Sequence, residues 1–181
     1  MIFKVFHKGK NVLFAWIVFL VFGLFLFQFS VYPKLKAAGE NRELPEESFG
    51  YSTDYFYGFV DKISEAGRAM YFNFQLLDLV NALLLGITLF ATLTYFLNRI
   101  TDKKLARVIL VLPVLAALFD ILENASIIYL LSDFPDRIGA LTQTASLFTK
   151  LKLTAGSLSG LFVLICGVIV LVKFMVDKWR R

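Results

Sequence analysis

The chain has 181 residues, of which 58% are hydrophobic and 20 are phenylalanine, while only 18% are charged. A soluble domain of this size needs a largely polar exterior, so this composition excludes an ordinary soluble domain. The net charge of +5 does not indicate a nucleic-acid partner, because the basic residues stand mainly in short flanks beside apolar runs. The composition predicts a lipid surrounding and one membrane domain that covers residues 1–181.

Four apolar segments are long enough to cross a bilayer, since a helix needs roughly 20 residues to span about 30 Å of hydrocarbon. They are residues 12–29, 72–97, 105–131 and 153–174. The first segment follows several lysines, as a secretory signal would. Its apolar run is longer than the roughly 7–15 residues of such a signal, so we expect a retained anchor. The predicted fold class is therefore all-α, a four-helix transmembrane bundle.

Lysine and arginine are distributed unequally between the two ends of these segments. Eleven of the 19 flank the ends that would share one side of the membrane if four helices alternate. The other eight stand in the first and third loops, mixed with acids. Because positive residues collect in cytoplasmic loops, we expect both termini in the cytoplasm and the protein in the cell membrane.

The first outer loop, residues 30–71, changes character along its length. Its beginning contains Pro33, Gly39 and Pro45 and is predicted to be a turn-rich polar link. From residue 54 to residue 70, apolar side chains recur at helical spacing opposite charged ones. Those apolar residues are Phe56, Phe59, Val60, Ile63 and Met70. We expect a short interfacial helix packed on the outer mouth of the bundle; the alternative is a plain connector.

Ionisable and amide side chains occur inside two of the predicted helices, where they are costly and rarely face lipid. They are Gln75, Asp78 and Asn81 in the second helix and Asp120, Glu123 and Asn124 in the third. Spacings of three and four residues put the members of each set on one helix face. At about 1.5 Å rise per residue, the carboxyl groups lie roughly 9–16 Å below the outer helix ends. We therefore expect them to converge in the outer half of the bundle.

The candidate site combines these groups with nearby cations and hydroxyls. Asp120 and Glu123 are the candidate catalytic residues, because carboxyl groups in such surroundings exchange protons. The candidate ligand-binding residues are Gln75, Asp78, Asn81, Asn124, Lys152, Ser157 and Arg68. Lys152 is expected at the outer mouth of the fourth helix, where it or Arg68 could pair with the acids.

No cofactor is indicated. The chain has one histidine, His7, and one cysteine, Cys166, so the usual zinc sites and an internal disulfide are excluded. Oxygen ligation of Mg²⁺, Ca²⁺ or Mn²⁺ by the acids and the two asparagines is chemically allowed. Nothing in the spacing of these residues demands a metal.

Three functions are compatible with an acidic pocket in a membrane bundle. The first is binding or transport of a cationic or amphipathic small molecule or lipid, for which a homodimer would widen the pathway. The second is an enzyme that acts on a lipid or isoprenoid-like substrate by carboxylate acid–base chemistry. The third is a non-catalytic scaffold or assembly protein. We favour the first, with membrane lipids and a small-molecule or lipid ligand as partners.

Overall fold

The computed structural model describes residue 6, residues 8–100 and residues 108–179. In this part of the chain the secondary structure is entirely helical. Helix α1, Gly9–Leu24, continues as a π-helical segment, Phe25–Phe29. The helices that follow are α2 (Tyr32–Ala38), α3 (Thr53–Lys62), α4 (Glu65–Ile100), α5 (Val111–Ser132) and α6 (Gly139–Trp179).

Four stretches are long and apolar enough to cross a membrane, as the sequence predicted. They are Gly9–Ala38, Glu65–Ile100, Val111–Ser132 and Gly139–Trp179. The predicted bounds were too narrow, because α4 begins at Glu65 rather than at residue 72 and α6 at Gly139 rather than at residue 153. Hydropathy marks only the apolar part of a helix, whereas backbone hydrogen bonding continues into more polar sequence. Residues 105–107 of the predicted third segment lie outside the described residues.

The predicted helix over residues 54–70 is divided into two parts. Ser52 caps α3, since its side-chain oxygen accepts a hydrogen bond from the Tyr55 backbone N–H at 3.1 Å. Ile63 has an extended backbone that ends α3, so Met70 belongs to α4 instead. The other four apolar positions of the predicted stripe are buried: Phe56, Phe59, Val60 and Ile63.

The first part of the loop is not the simple polar link that was predicted. It contains α2, which has Pro33 in its first turn, where the missing N–H is not needed. The chain turns after α2 through Glu40 and Asn41, both with positive φ. It then returns to the bundle as the cap segment, residues 44–51, in which Leu44 and Glu46 are buried.

The four long helices alternate in direction. Successive contacts between neighbouring helices move forward along one helix and backward along the other. The contact pairs are Ala15–Thr88 and Phe27–Phe74 for α1 and its π-helical continuation with α4, Asp78–Asn124 and Gly86–Ala117 for α4 and α5, and Asp120–Lys152 and Glu123–Thr149 for α5 and α6. The two described chain termini therefore lie at one end of the bundle, which we call the terminal end. There Lys173 Nζ donates to the Arg99 carbonyl oxygen at 3.2 Å. The opposite end, the loop end, carries α2, α3 and the cap segment.

Gly86 allows α4 and α5 to approach closely. A Cβ at this position would lie 2.6 Å from the Ala117 Cβ and 3.4 Å from the Pro113 carbonyl oxygen. One apolar cluster, which includes Tyr71, lies toward the loop end, and another, which includes Leu93, lies toward the terminal end. The polar groups of the helices lie between the two clusters.

Candidate functional site

Three helices bring carboxyl groups and one ammonium group together between these apolar clusters. Asp78 lies on α4, Asp120 and Glu123 lie on α5, and Lys152 lies on α6. At about 1.5 Å per residue, Glu123 and Asp120 are roughly 14 and 18 Å from the loop end of α5. The group therefore surrounds the middle of the bundle.

Lys152 forms ion pairs with two of these three carboxylates, those of Asp120 and Glu123. Its Nζ lies 2.8 Å from Asp120 Oδ1 and forms a second ion pair with Glu123. The Lys152 and Asp120 side chains are 13% and 14% exposed. Glu123 is fully buried and also accepts a hydrogen bond from the Thr149 hydroxyl. The predicted position of Lys152 at the helix mouth is wrong, because α6 begins earlier and places it roughly 20 Å inside the helix.

Asp78 has a different environment. Its two oxygens accept hydrogen bonds from Asn81 Nδ2 and Asn124 Nδ2, each at 3.1 Å. It has no ion pair with any Lys, Arg or His in the described ranges. The Oδ1 atoms of Asn81 and Asn124 are buried and find no hydrogen-bond partner among the described residues. Two of the four side-chain oxygens in this group thus have no donor among the described residues, an arrangement that is costly unless a donor completes it.

The polar groups border a cavity of about 540 Å³. Its lining includes the polar groups of Glu46, Glu47, Asp78, Asn81, Asp120 and Lys152. One or two helical turns closer to the terminal end, the wall is apolar and consists of Leu85, Leu89, Ala116 and Ala117. Ser157, one of the predicted ligand-binding residues, also borders the cavity. The cavity therefore has apolar lining beside its polar groups, and Phe27 and Phe74 also belong to this lining.

Gln75 contacts an acid that the sequence did not indicate as part of the site, Glu46 of the cap segment. Gln75 Nε2 and the Tyr71 hydroxyl each donate to Glu46 at 2.5 Å. Burial raises the pKa of Glu46 to about 8, and the Glu123 carboxylate adds to this effect. A single acid in a turn-rich link has no periodic signal, so its return into the bundle could not be read from the sequence.

Thr149 is the second site residue that was missed. Its spacing of three from Lys152 places both side chains on one face of α6, and this was the available signal. Threonine inside a helix commonly bonds its own backbone, as Thr149 also does with the Ala145 carbonyl at 3.2 Å. Because this role is common, nothing in the sequence indicated specifically that Thr149 contacts Glu123.

Arg68 lies apart from the acids. Its Nη1 donates to the Ile63 carbonyl oxygen at 2.9 Å, and its guanidinium group lies 4.5 Å from the centre of the Phe134 ring. The carbonyl groups at the end of α3 attract it, so it borders a separate hollow at the loop end. Of the two predicted catalytic acids, Asp120 borders the cavity, whereas Glu123 is enclosed behind Lys152.

Within residues 8–100 and 108–179, no group of three Asp, Glu, His or Cys side chains is arranged to hold a metal ion. His7 lies outside the described residues.

No protein-family model, curated protein or solved structure matches the chain. The functional conclusion is therefore built on the chemistry of the cavity.

Proposed function

We propose that this chain spans the cell membrane four times and binds an amphipathic cation in the cavity beside Asp78. The membrane part of the proposal is supported by the four long apolar helices and by their outward-facing side chains. Leu20, Phe29 and Leu164 are 58%, 74% and 69% exposed. A surface of this kind is stable against lipid but not against water.

The orientation follows from charge. In the sequence, eleven of the 19 lysines and arginines belong to the two chain ends and the second loop. Because positive residues collect on the cytoplasmic side, we assign the terminal end to the cytoplasm and the loop end to the outer side. In this orientation α2, α3 and the cap segment lie on the outer side, and Glu46 and Glu47 of the cap segment border the cavity. We assign α3 to the membrane interface, with its buried apolar face toward the bundle.

The Asp78 carboxylate, which forms no ion pair within the described ranges, is the observation that supports the proposed ligand chemistry. A ligand ammonium group has three N–H donors and a positive charge. It would pair with Asp78 and also supply donors to the free amide oxygens of Asn81 and Asn124. The apolar wall beyond them suits a hydrocarbon part of the same ligand.

Three probes with the same tail and different head groups test this proposal: octylammonium, octyltrimethylammonium and octyl sulfate. Each would be measured by equilibrium binding to the full chain in nanodiscs, with empty nanodiscs as the blank. We expect octylammonium to bind most tightly, because the trimethyl compound has a charge but no N–H donor. Octyl sulfate should bind least.

A matched pair of variants identifies the site. Asp78→Asn should weaken octylammonium binding about 10- to 100-fold, the value of a charge-assisted hydrogen bond of about 1.5–3 kcal/mol. Asp133→Asn changes an exposed acid at the loop end and should have no effect. Unchanged binding in Asp78→Asn would reject the proposal.

The enzyme alternative has one observation in its favour, since Asp120 and Lys152 both border the cavity. An acid and a cation side by side could hold and protonate a lipid with an anionic head group. Octyl sulfate would then bind more tightly than octylammonium, and Lys152→Met would abolish its binding.

A further inference from the structure

Glu46 is a second buried carboxyl group on the wall of the same cavity. It is 7% exposed, and both of its oxygens accept hydrogen bonds from neutral donors, the Tyr71 hydroxyl and the Gln75 amide. No ion pair involves Glu46 within the part of the chain that the structure describes. Its position therefore resembles that of Asp78, with hydrogen bonds but without a compensating charge.

The ionisable groups that surround Glu46 compensate its charge only in part, through the positive charge of Lys152. They are Tyr32 of α2, Tyr71 of α4, Glu123 of α5, Lys152 of α6, and Tyr51 and Glu47 of the cap segment. Lys152, the one cation in this group, is held by Asp120 and Glu123. Glu47 turns away to Lys36, with Nζ at 2.8 Å from its carboxylate. Burial and the nearby Glu123 carboxylate therefore favour the protonated form of Glu46.

Gln75 provides an acceptor for such a proton. Gln75 is fully buried, and its Nε2 already donates to Glu46, while its Oε1 has no hydrogen-bond partner among the described residues. A protonated carboxyl group has one O–H donor, and a neighbouring amide oxygen can accept it. A proton on Glu46 would bring a donor to this amide group, whose Nε2 lies 2.5 Å from the Glu46 carboxyl group.

We infer that Glu46 is a proton-binding site and that an ammonium ligand entering the cavity releases this proton. This inference rests on the proposed binding function. A positive charge inside a weakly polar cavity lowers the cost of a nearby carboxylate, so the Glu46 O–H bond breaks and its proton passes to water. The carboxylate keeps the electron pair, and the cavity exchanges one positive charge for another. By linkage, protonation of Glu46 weakens ligand binding to the same extent.

The pH dependence of octylammonium binding to the full chain in nanodiscs tests the exchange. Wild-type affinity should rise about tenfold per pH unit below about 8, the pKa to which burial raises Glu46, and should level off above it. Glu46→Gln keeps the size and hydrogen bonding of the side chain and should bind independently of pH. Glu43→Gln alters an exposed neighbour and should behave like wild type.

Infrared spectroscopy observes the proton directly. The carbonyl band of a protonated carboxyl group should appear in the wild-type minus Glu46→Gln difference spectrum at pH 6 and should vanish when octylammonium is added. A pH dependence that is equal in wild type and Glu46→Gln, or a band that octylammonium leaves unchanged, would overturn the exchange while leaving the binding function intact. Failure of octylammonium to bind wild type at any pH would overturn both.

Discussion

Lys152→Met is the substitution that most directly tests how the bundle holds its buried acids. In the wild type, the Lys152 ammonium group is the cation that pairs with both Asp120 and Glu123. Methionine has a similar length and no charge, so the variant keeps most of the packing and removes the pairing. Glu123, which is fully buried, would lose its charged partner in a place that water does not reach.

The expected effect follows from the burial of this group. Removing one partner of a buried ion pair costs about 3–5 kcal/mol, because the other charge stays in the interior uncompensated. For a chain of this size, 1 kcal/mol corresponds to about 2–4 °C in melting temperature, so Tm should fall by roughly 6–20 °C. Neutralising all three groups, in Lys152→Met with Asp120→Asn and Glu123→Gln, should restore most of this loss.

Thermal denaturation of the protein in one detergent, followed by circular dichroism, would measure these differences. Lys150→Met is the matched control, since Lys150 is exposed, stands two positions away and forms no ion pair among the described residues. Equal melting temperatures for Lys152→Met and Lys150→Met would refute the pairing. A neutral triple variant that is as unstable as Lys152→Met would show instead that packing around the methionine causes the loss.

Three further predictions address the cap segment, the helix contact and the orientation. Burial raises the pKa of Glu46 from 4.5 to about 8, so unfolding free energy should fall as pH rises through this range. In thermal melts, Glu46→Gln should make the unfolding free energy less dependent on pH. An equal pH dependence in the variant and the wild type would contradict this prediction. Gly86→Ala should cost about 1–3 kcal/mol through its clash with α5. In the same assay Gly160→Ala, with open space around its Cβ, should be neutral or slightly stabilising, and equal losses would reject the close contact. In a background without Cys166, a membrane-impermeant maleimide should label Arg137→Cys but not Lys8→Cys in intact cells; the reverse would overturn the orientation.

The four long helices could be predicted because each contains a long apolar run that would be unstable if it were exposed to water. The residues at which these helices begin and end could not be predicted. The part of α6 from Gly139 to Lys152 contains several hydroxyl and amide side chains, which lower its hydropathy without ending the helix. Such residues are neutral or weakly unfavourable within a helix, and packing against α5 decides the outcome.

The meeting of Asp78 with Asn124 was also predictable. Polar side chains inside apolar helices avoid lipid, so two helices with polar faces turn them toward each other. The hydrogen bond between these residues, at 3.1 Å, agrees with that reasoning. The position of Lys152 was not predictable by the same route, because its depth depends on where α6 begins.

The positions of Glu46 and Arg68 could not be predicted from the spacing of apolar residues. Glu46 enters the site because the chain turns after α2 and returns to the bundle, which depends on contacts distant in sequence. Arg68 leaves the site because α3 stops at Lys62 and presents free carbonyl groups nearby. Neither the turn nor the stop is marked by a repeating pattern of apolar residues.

The two sets of acids separate the scaffold and binding hypotheses. A polar network that only fixes helix register should satisfy its own members, since each buried acceptor without a donor costs about 1–3 kcal/mol. Asp120 and Glu123 share Lys152, as a structural network requires. Among the described residues Asp78 instead forms no ion pair, and it lies beside a cavity and two amide oxygens that find no hydrogen-bond partner there.

Opposite effects should therefore follow from changing the two sets. Asp78→Asn removes a buried charge that has no ion pair among the described residues. It should therefore leave the melting temperature unchanged or raise it while it weakens octylammonium binding. Lys152→Met should lower the melting temperature. If Asp78→Asn lowered the melting temperature as much as Lys152→Met and left binding unchanged, the Asp78 group would be structural and the scaffold hypothesis would be correct.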